Sequence, residues 1–203
     1  MEPNLEHIHN LGIDLSTNAI YIGSEGRDEE GEYGVDFEMA SRFIKNLNHL
    51  SSRISADEVI KVYMISCGGD WNYGMAMYDA IVDCPQQIEF HSMGHARSMS
   101  SIIPQSADKR IIYKHTDFMI HNGSYSDAGE YTAVISAMEY GKRSCDLMLD
   151  IYANRCNGSN FCKEKGLDWK GIRNFIEDKM KQKVDWWMDA YEAVYYGFMD
   201  EVA

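Results

Sequence analysis

The chain has 203 residues, 45% hydrophobic and 25% charged, the profile of an ordinary globular protein with enough length for one sizeable core or two small ones. A formal net charge of −13 argues against nucleic acid or an anionic membrane surface as partner, because both are held by clustered Lys and Arg. The cysteines, Cys67, Cys84, Cys145, Cys156 and Cys162, are odd in number and form no CxxC pair, which speaks against a disulfide framework and against a zinc site.

In chain order, "MEPNLEHIHNLGIDL" lacks a basic segment leading into an apolar one, and no window approaches about eighteen uninterrupted apolar residues. A cytoplasmic or equivalent reducing location is therefore expected. "NAIYIGS" at 18–24 reads as a short strand, and the acidic, glycine-bearing "EGRDEEGEYG" after it as an exposed loop. In "DFEMASRFIKNLNHLSSRI" the residues Phe37, Ala40, Phe43, Ile44 and Leu47 recur at helical spacing, with Asp36 as the N-cap. The β-rich run "VIKVYMIS" then ends in "CGGDWNYGMAMYDAIVDCP", where glycines give way to a helical pattern closed by Pro85. The same strand, Gly turn, helix grammar repeats in "IEFHSMGHARSMSSIIPQSA": a strand near 88–93 is predicted to lead through Gly94 into a helix starting close to Ser98. "KRIIYKH" and "DFMIHN" read as further strands, and residues 128–155 as a long helix that Asn157 and Gly158 terminate. Strands alternating with helices imply βαβ units and a mainly parallel sheet, and the absence of repeats or Pro-rich linkers implies one domain over 1–203.

Candidate chemistry concentrates where these elements end. Serine attack on a carbonyl requires a hydroxyl, an imidazole to take its proton, a carboxylate to hold the imidazole, and backbone N–H groups for the oxyanion. Ser98, at the first turn of the expected helix, has free N–H groups and the positive end of the helix dipole beside it; the plain alternative is a helix cap. His121 closes "DFMIH" at a strand end, where an imidazole serves either catalysis or structure. Local chemistry does not choose among Asp178, Asp185 and Asp189. "GGDWNYG" lacks the Lys and Ser/Thr that a P-loop requires. Nothing calls for a cofactor or a metal.

The ordered motifs "VYMISCGGDWNYGMAMYDAI", "MGHARSMSS" and "DFMIHN", with the closing "DWWMDAYEAVYYGFMDEV", resemble the proteolytic-subunit family of the Clp protease over roughly residues 58–125 and 184–202. The resemblance implies an α/β fold, a crotonase-like spiral of βαβ units with a protruding handle helix at 128–155. It implies Ser98 as nucleophile, His121 as base and Asp185 as orienting acid, with the N–H groups of Gly69 and Met99 as the oxyanion hole; Ser92, Ser100 and Ser101 are then packing or capping residues. It further implies a serine endopeptidase working through an acyl-enzyme inside stacked homo-oligomeric rings, fed with peptide or unfolded protein, with an AAA+ unfoldase as a partner. The alternatives are an inactive regulatory subunit of such rings, a crotonase-type acyl-CoA enzyme, and a capsid-maturation or signal-peptide peptidase on the same fold. The chain departs from the family at Cys67 (usually Pro), at Arg97 (usually small) and at Asn122-Gly123 (usually Gln-Pro). It is also longer between the long helix and Asp185 by about a dozen residues.

Overall fold

Period-2 alternation in "VIKVYMIS", with Ile60, Val62, Met64 and Ser66 turned inward, makes the strand on which the sheet is built. The computed structural model describes residues 3–23, 27–28, 31–32, 34–124 and 128–203, with the backbone alone at 3, 4, 27, 28, 31 and 32. Its elements begin α1 (Pro3–Leu11), β1 (Ile13–Asp14), β2 (Ala19–Gly23), β3 (Arg27–Asp28) and β4 (Gly31–Glu32). Then come α2 (Phe37–Ser51), β5 (Val59–Ser66), α3 (Trp71–Val82), β6 (Gln87–Arg97) and α4 (Met99–Ile102). A 3-10 turn (Ile103–Ser106) leads into β7 (Lys109–Ile112), β8 (Asp117–Ile120) and α5 (Tyr131–Cys156). The chain closes with α6 (Asn160–Lys165), α7 (Trp169–Lys183), β9 (Trp186–Met188), α8 (Ala190–Tyr196) and β10 (Glu201–Val202).

Among the described residues, β1, β2, β5, β6, β7 and β10 lie side by side in that order, and β8 and β9 extend the same sheet from β6. Within this sheet only the β1–β2 and β8–β9 contacts are antiparallel, so it is mainly parallel and the class is α/β. Two expectations change. The segment 25–34 is not simply a loop, because β3 and β4 pair as an antiparallel ladder; its exposure, and positions 25, 26, 29, 30 and 33, lie outside the described residues. The strand expected to stop near residue 93 continues to Arg97. Gly94, at φ +63°, kinks it there, so its first half pairs with β7 up to Ser92 and its second half with β8 from His95.

The helices form for local reasons and stay by packing. Asp36 caps α2 by accepting the Met39 N–H at 2.8 Å, and Asp70 caps α3 by accepting those of Asn72 and Tyr73. α2 buries Ala40, Phe43, Leu47 and Leu50, whereas Phe37, expected on that face, lies before the docked turns and is 63% exposed. α5 divides in two: Met148, Leu149, Tyr152, Ala153 and Cys156 enter the core, while Tyr131 and Met138 stand in solvent. The segment before Asp185 that carries the added length forms α6 and α7. α7 buries Ile172, Ile176 and Met180, and Arg173 ties it to α5 by pairing with Asp150 at 2.6 Å and Asp146 at 3.1 Å.

The C-terminal segment is held by Arg110, which donates to the carbonyls of Gly197 and Phe198, to Gln105 and to Asp200. Burial pushes the Asp200 carboxyl up, but the Arg110 hydrogen bond and charge outweigh it and hold the carboxyl below its usual range. Asp200→Ala leaves the buried guanidinium uncompensated, and is expected to cost about 3 kcal/mol by urea unfolding. Because the native value is depressed, the carboxylate's contribution is complete above about pH 4, the unfolded value, and is lost as pH falls through the native value. Acid titration of Asp200→Asn should therefore show a flatter loss of stability below that pH than the parent chain.

Candidate active site

Three strand ends meet at one point. Ser98 follows β6, His121 follows β8 and Asp185 precedes β9, and these strands are adjacent, with Arg97 opposite Met119 and Met119 opposite Trp187. Ser98 adopts φ 52°, ψ −125°, a conformation costing a non-glycine residue about 1–3 kcal/mol. It is held there by its own N–H donating to Met119 O at 2.9 Å. Its side chain makes no helix-cap bond; instead Oγ lies 2.8 Å from His121 Nε2. On the ring's other side, Nδ1 lies 3.1 Å from Asp185 Oδ1. A carboxylate only accepts, so Nδ1 carries the proton and Nε2 is left to accept from the serine hydroxyl. His121 is about a quarter exposed and Asp185 nearly half.

The helix after Ser98 is short, one α turn followed by the 3-10 turn from Ile103, so the single N–H of Met99 matters more than a macrodipole. Gly68 and Gly69 form the facing wall. A Cβ on Gly68 would meet the Cβ of Ser98 at 2.6 Å, and one on Gly69 would collide with the backbone of Val35. Val35 donates to Gly68 O and accepts from Asp70 N–H, a parallel bridge that turns the intervening Gly69 N–H the other way. Gly69, Trp71, Ser98, Met99, Ile102 and His121 line a cavity of about 480 Å³. A larger hollow of about 690 Å³ between β2 and α2 contains none of Gly69, Ser98, Met99, His121 and Asp185.

Sequence reasoning missed two supports. Tyr152, fully buried on α5, donates to Ser101 Oγ at 2.7 Å, and Ser101 donates to Ser98 O at 2.6 Å, so the handle-side helix is hydrogen-bonded to the backbone of Ser98. Burial pushes the tyrosine hydroxyl's pKa far up, which keeps it a donor at any ordinary pH. Tyr152→Phe should lower stability by about 1 kcal/mol in thermal unfolding. The second support is Val184, at φ 63° and ψ −70°, with Asp185 N–H donating to Lys183 O at 2.8 Å. This strained γ-turn at the end of α7 reverses the chain and aims Asp185 at the histidine. Helix-cap patterns anticipate neither, because the tyrosine acts across 51 positions and a positive φ at a β-branched valine runs against local preference.

Of the competing carboxylates, Asp178 is exposed on α7, and Asp189 caps α8 in a reciprocal pair of bonds with Glu192. Among the described residues, no group of three or more His, Cys, Asp or Glu is arranged to hold a metal ion, and no helix is long and apolar enough to cross a membrane.

Comparison with known proteins identifies a family. The family model for Clp protease matches residues 32–203, a span that takes in Gly69, Ser98, Met99, His121 and Asp185. The ATP-dependent Clp protease proteolytic subunit of Streptococcus gordonii is 26% identical over 172 residues, covering 83% of this chain and 80% of that protein. The same-named proteins of Chlorella vulgaris (26% over 171 residues, 83% and 77% covered) and Streptococcus mutans (26% over 170 residues, 83% and 80%) are similarly related. With most of its length matched and a site of this chemistry inside the match, the chain belongs to the Clp protease family, as a divergent member.

Proposed function

We propose that the chain is a serine endopeptidase, a single peptidase domain over 1–203, that cleaves peptide bonds through an acyl-enzyme. The observation that carries this reading is the unbroken hydrogen-bond chain from Ser98 Oγ through His121 to Asp185, opening on a cavity. Ser98 Oγ attacks the scissile carbonyl while His121 Nε2 takes its proton, and Asp185 stabilises the imidazolium and holds the tautomer. The Gly69 and Met99 N–H groups donate to the oxyanion as it forms. His121 then gives its proton to the leaving amine, and a water activated by the same nitrogen hydrolyses the ester. A fluorophosphonate probe tests the chemistry: labelling on Ser98 supports it. A protein that forms rings but neither labels nor hydrolyses peptides is a regulatory subunit, and one that binds acyl-CoA without labelling is a crotonase-type enzyme.

The substrate is peptide or unfolded protein, and the site of action is an oligomeric chamber in the cytoplasm. On α5, Tyr131, Ile135 and Met138 recur at helical spacing and are exposed at 77%, 40% and 66%, an apolar stripe suited to meshing two stacked rings. Light scattering is expected to give a ring-sized particle, and Met138→Glu to halve its mass; a monomer across salt and concentration would contradict assembly. The relatives' name includes ATP dependence, which makes an AAA+ unfoldase the proposed partner. Activation of protein hydrolysis, but not of short-peptide hydrolysis, by an added unfoldase is the matching assay.

A further inference from the structure

Arg97 stands next to the proposed nucleophile, at the end of β6, and its guanidinium reaches across two neighbouring strands. Nη2 donates to Asp117 on β8 at 2.6 Å, and the guanidinium carbon lies 4.9 Å from the ring centre of Trp187 on β9. The register explains how one side chain spans both. Arg97 is opposite Met119, which is opposite Trp187, so all three point to the same face of the sheet, and Asp117, two residues before Met119, shares that face. Arg97 therefore arches over Met119, which is 7% exposed. The other face, with Ala96, Phe118, Ile120, Trp186 and Met188, is core. The side chain's buried Nε has no hydrogen-bond partner among the described residues, a desolvation that an ordinary surface arginine does not bear.

Each strand in this arrangement delivers one member of the site: β6 is followed by Ser98, β8 by His121, and β9 is preceded by Asp185. The turn at Val184 aims Asp185, but β9, which carries on from it, is only three residues long, so the position of the aspartate depends on that short strand being held against β8. We infer that the Arg97, Asp117 and Trp187 side chains form a clamp that locks the three strands together, making Arg97 a positioning residue that holds Asp185 against His121. Its guanidinium pairs with Asp117 while lying over the Trp187 ring, a combination that a planar, delocalised cation serves better than a compact ammonium. For its kinetic arm the inference rests on the peptidase reading above.

The test compares full-length wild type, Arg97→Ala, Arg97→Lys and Trp187→Leu in peptide hydrolysis, fluorophosphonate labelling and crystal structures. Arg97→Ala should lower kcat by about 10- to 100-fold with KM changed less than about twofold, since geometry at the reacting atoms is lost and substrate contacts are not. Trp187→Leu should move kcat in the same direction, which keeps the test alive if Arg97→Ala does not fold. Arg97→Lys should recover only part of the loss, while full recovery would reduce Arg97 to a nearby charge and overturn the clamp. In an Asp185→Asn background, Arg97→Ala should cost less than about threefold further, because the group it positions is already disabled. An undiminished loss there would also overturn the inference. In the Arg97→Ala crystal structure, the Nδ1–Oδ1 separation should exceed about 3.5 Å; retention of the contact refutes the clamp. If wild type itself fails to label, the peptidase reading falls, and the crystallographic comparison alone decides the clamp.

Discussion

Ser98→Ala should reduce peptide hydrolysis by about four to six orders of magnitude, with fold and assembly unchanged, because a triad nucleophile has no substitute within reach. The neighbouring hydroxyls do not qualify. Ser100 and Ser101 are buried at 1% and 0% exposure, and Ser101 Oγ is already engaged by Tyr152 and the Ser98 carbonyl. Fluorophosphonate labelling read by intact mass should disappear in the same variant; residual turnover within tenfold of wild type would end the peptidase reading. The backbone supplies a second, independent measurement. Alanine keeps the penalty of φ 52° and glycine does not, so Ser98→Gly should be as inactive as Ser98→Ala yet more stable in urea by about 1 kcal/mol. Strain located at the reacting residue is what a site shaped for chemistry rather than for stability predicts.

Asp185→Asn is expected to lower kcat by roughly 10⁴-fold near neutral pH while leaving the fold intact. The amide presents an N–H to His121 as readily as an oxygen, so the ring's tautomer is no longer held and the imidazolium formed during attack loses its carboxylate. Asp178→Asn and Asp189→Asn serve as comparisons. Asp178 is solvated, and asparagine caps a helix about as well as aspartate, so both should change kcat by less than about twofold. Near-normal activity in Asp185→Asn, together with loss in either of the others, would move the acid along the chain and leave the serine-histidine pair standing. If all three are silent, the three-residue mechanism fails.

Much of this architecture is legible locally. Alternation in "VIKVYMIS", the cap Asp36, the helices α2 and α5, and the apolar spacing of α2 apart from Phe37 each depend on residues within a few positions, and the structure carries them. The α/β class follows from the succession of those elements. The end of β8, where His121 stands, is also visible as a point where a strand meets turn-forming residues, and the motif order around Ser98 and His121 is what the family resemblance rests on.

Other features are set by partners far along the chain. Whether β6 stops at Gly94 or bends and continues depends on β8 being present to pair with its second half. Which aspartate meets His121 depends on α7, whose buried face and ties from Arg173 to α5 fix where the helix ends, and on the turn at Val184 that follows; the two residues are 64 positions apart. The extra segment was visible only as added length, and nothing in its local pattern says that Phe161 and Phe175 pack with Trp186 and Tyr196 into one aromatic cluster. Arg97 likewise reads in sequence as a substitution beside a serine and in three dimensions as a bridge to Asp117 and Trp187. Short-range hydrogen bonding and side-chain periodicity determine elements from neighbours alone, whereas strand pairing and helix docking pay the entropy of closing long loops and are decided only when the whole core is assembled.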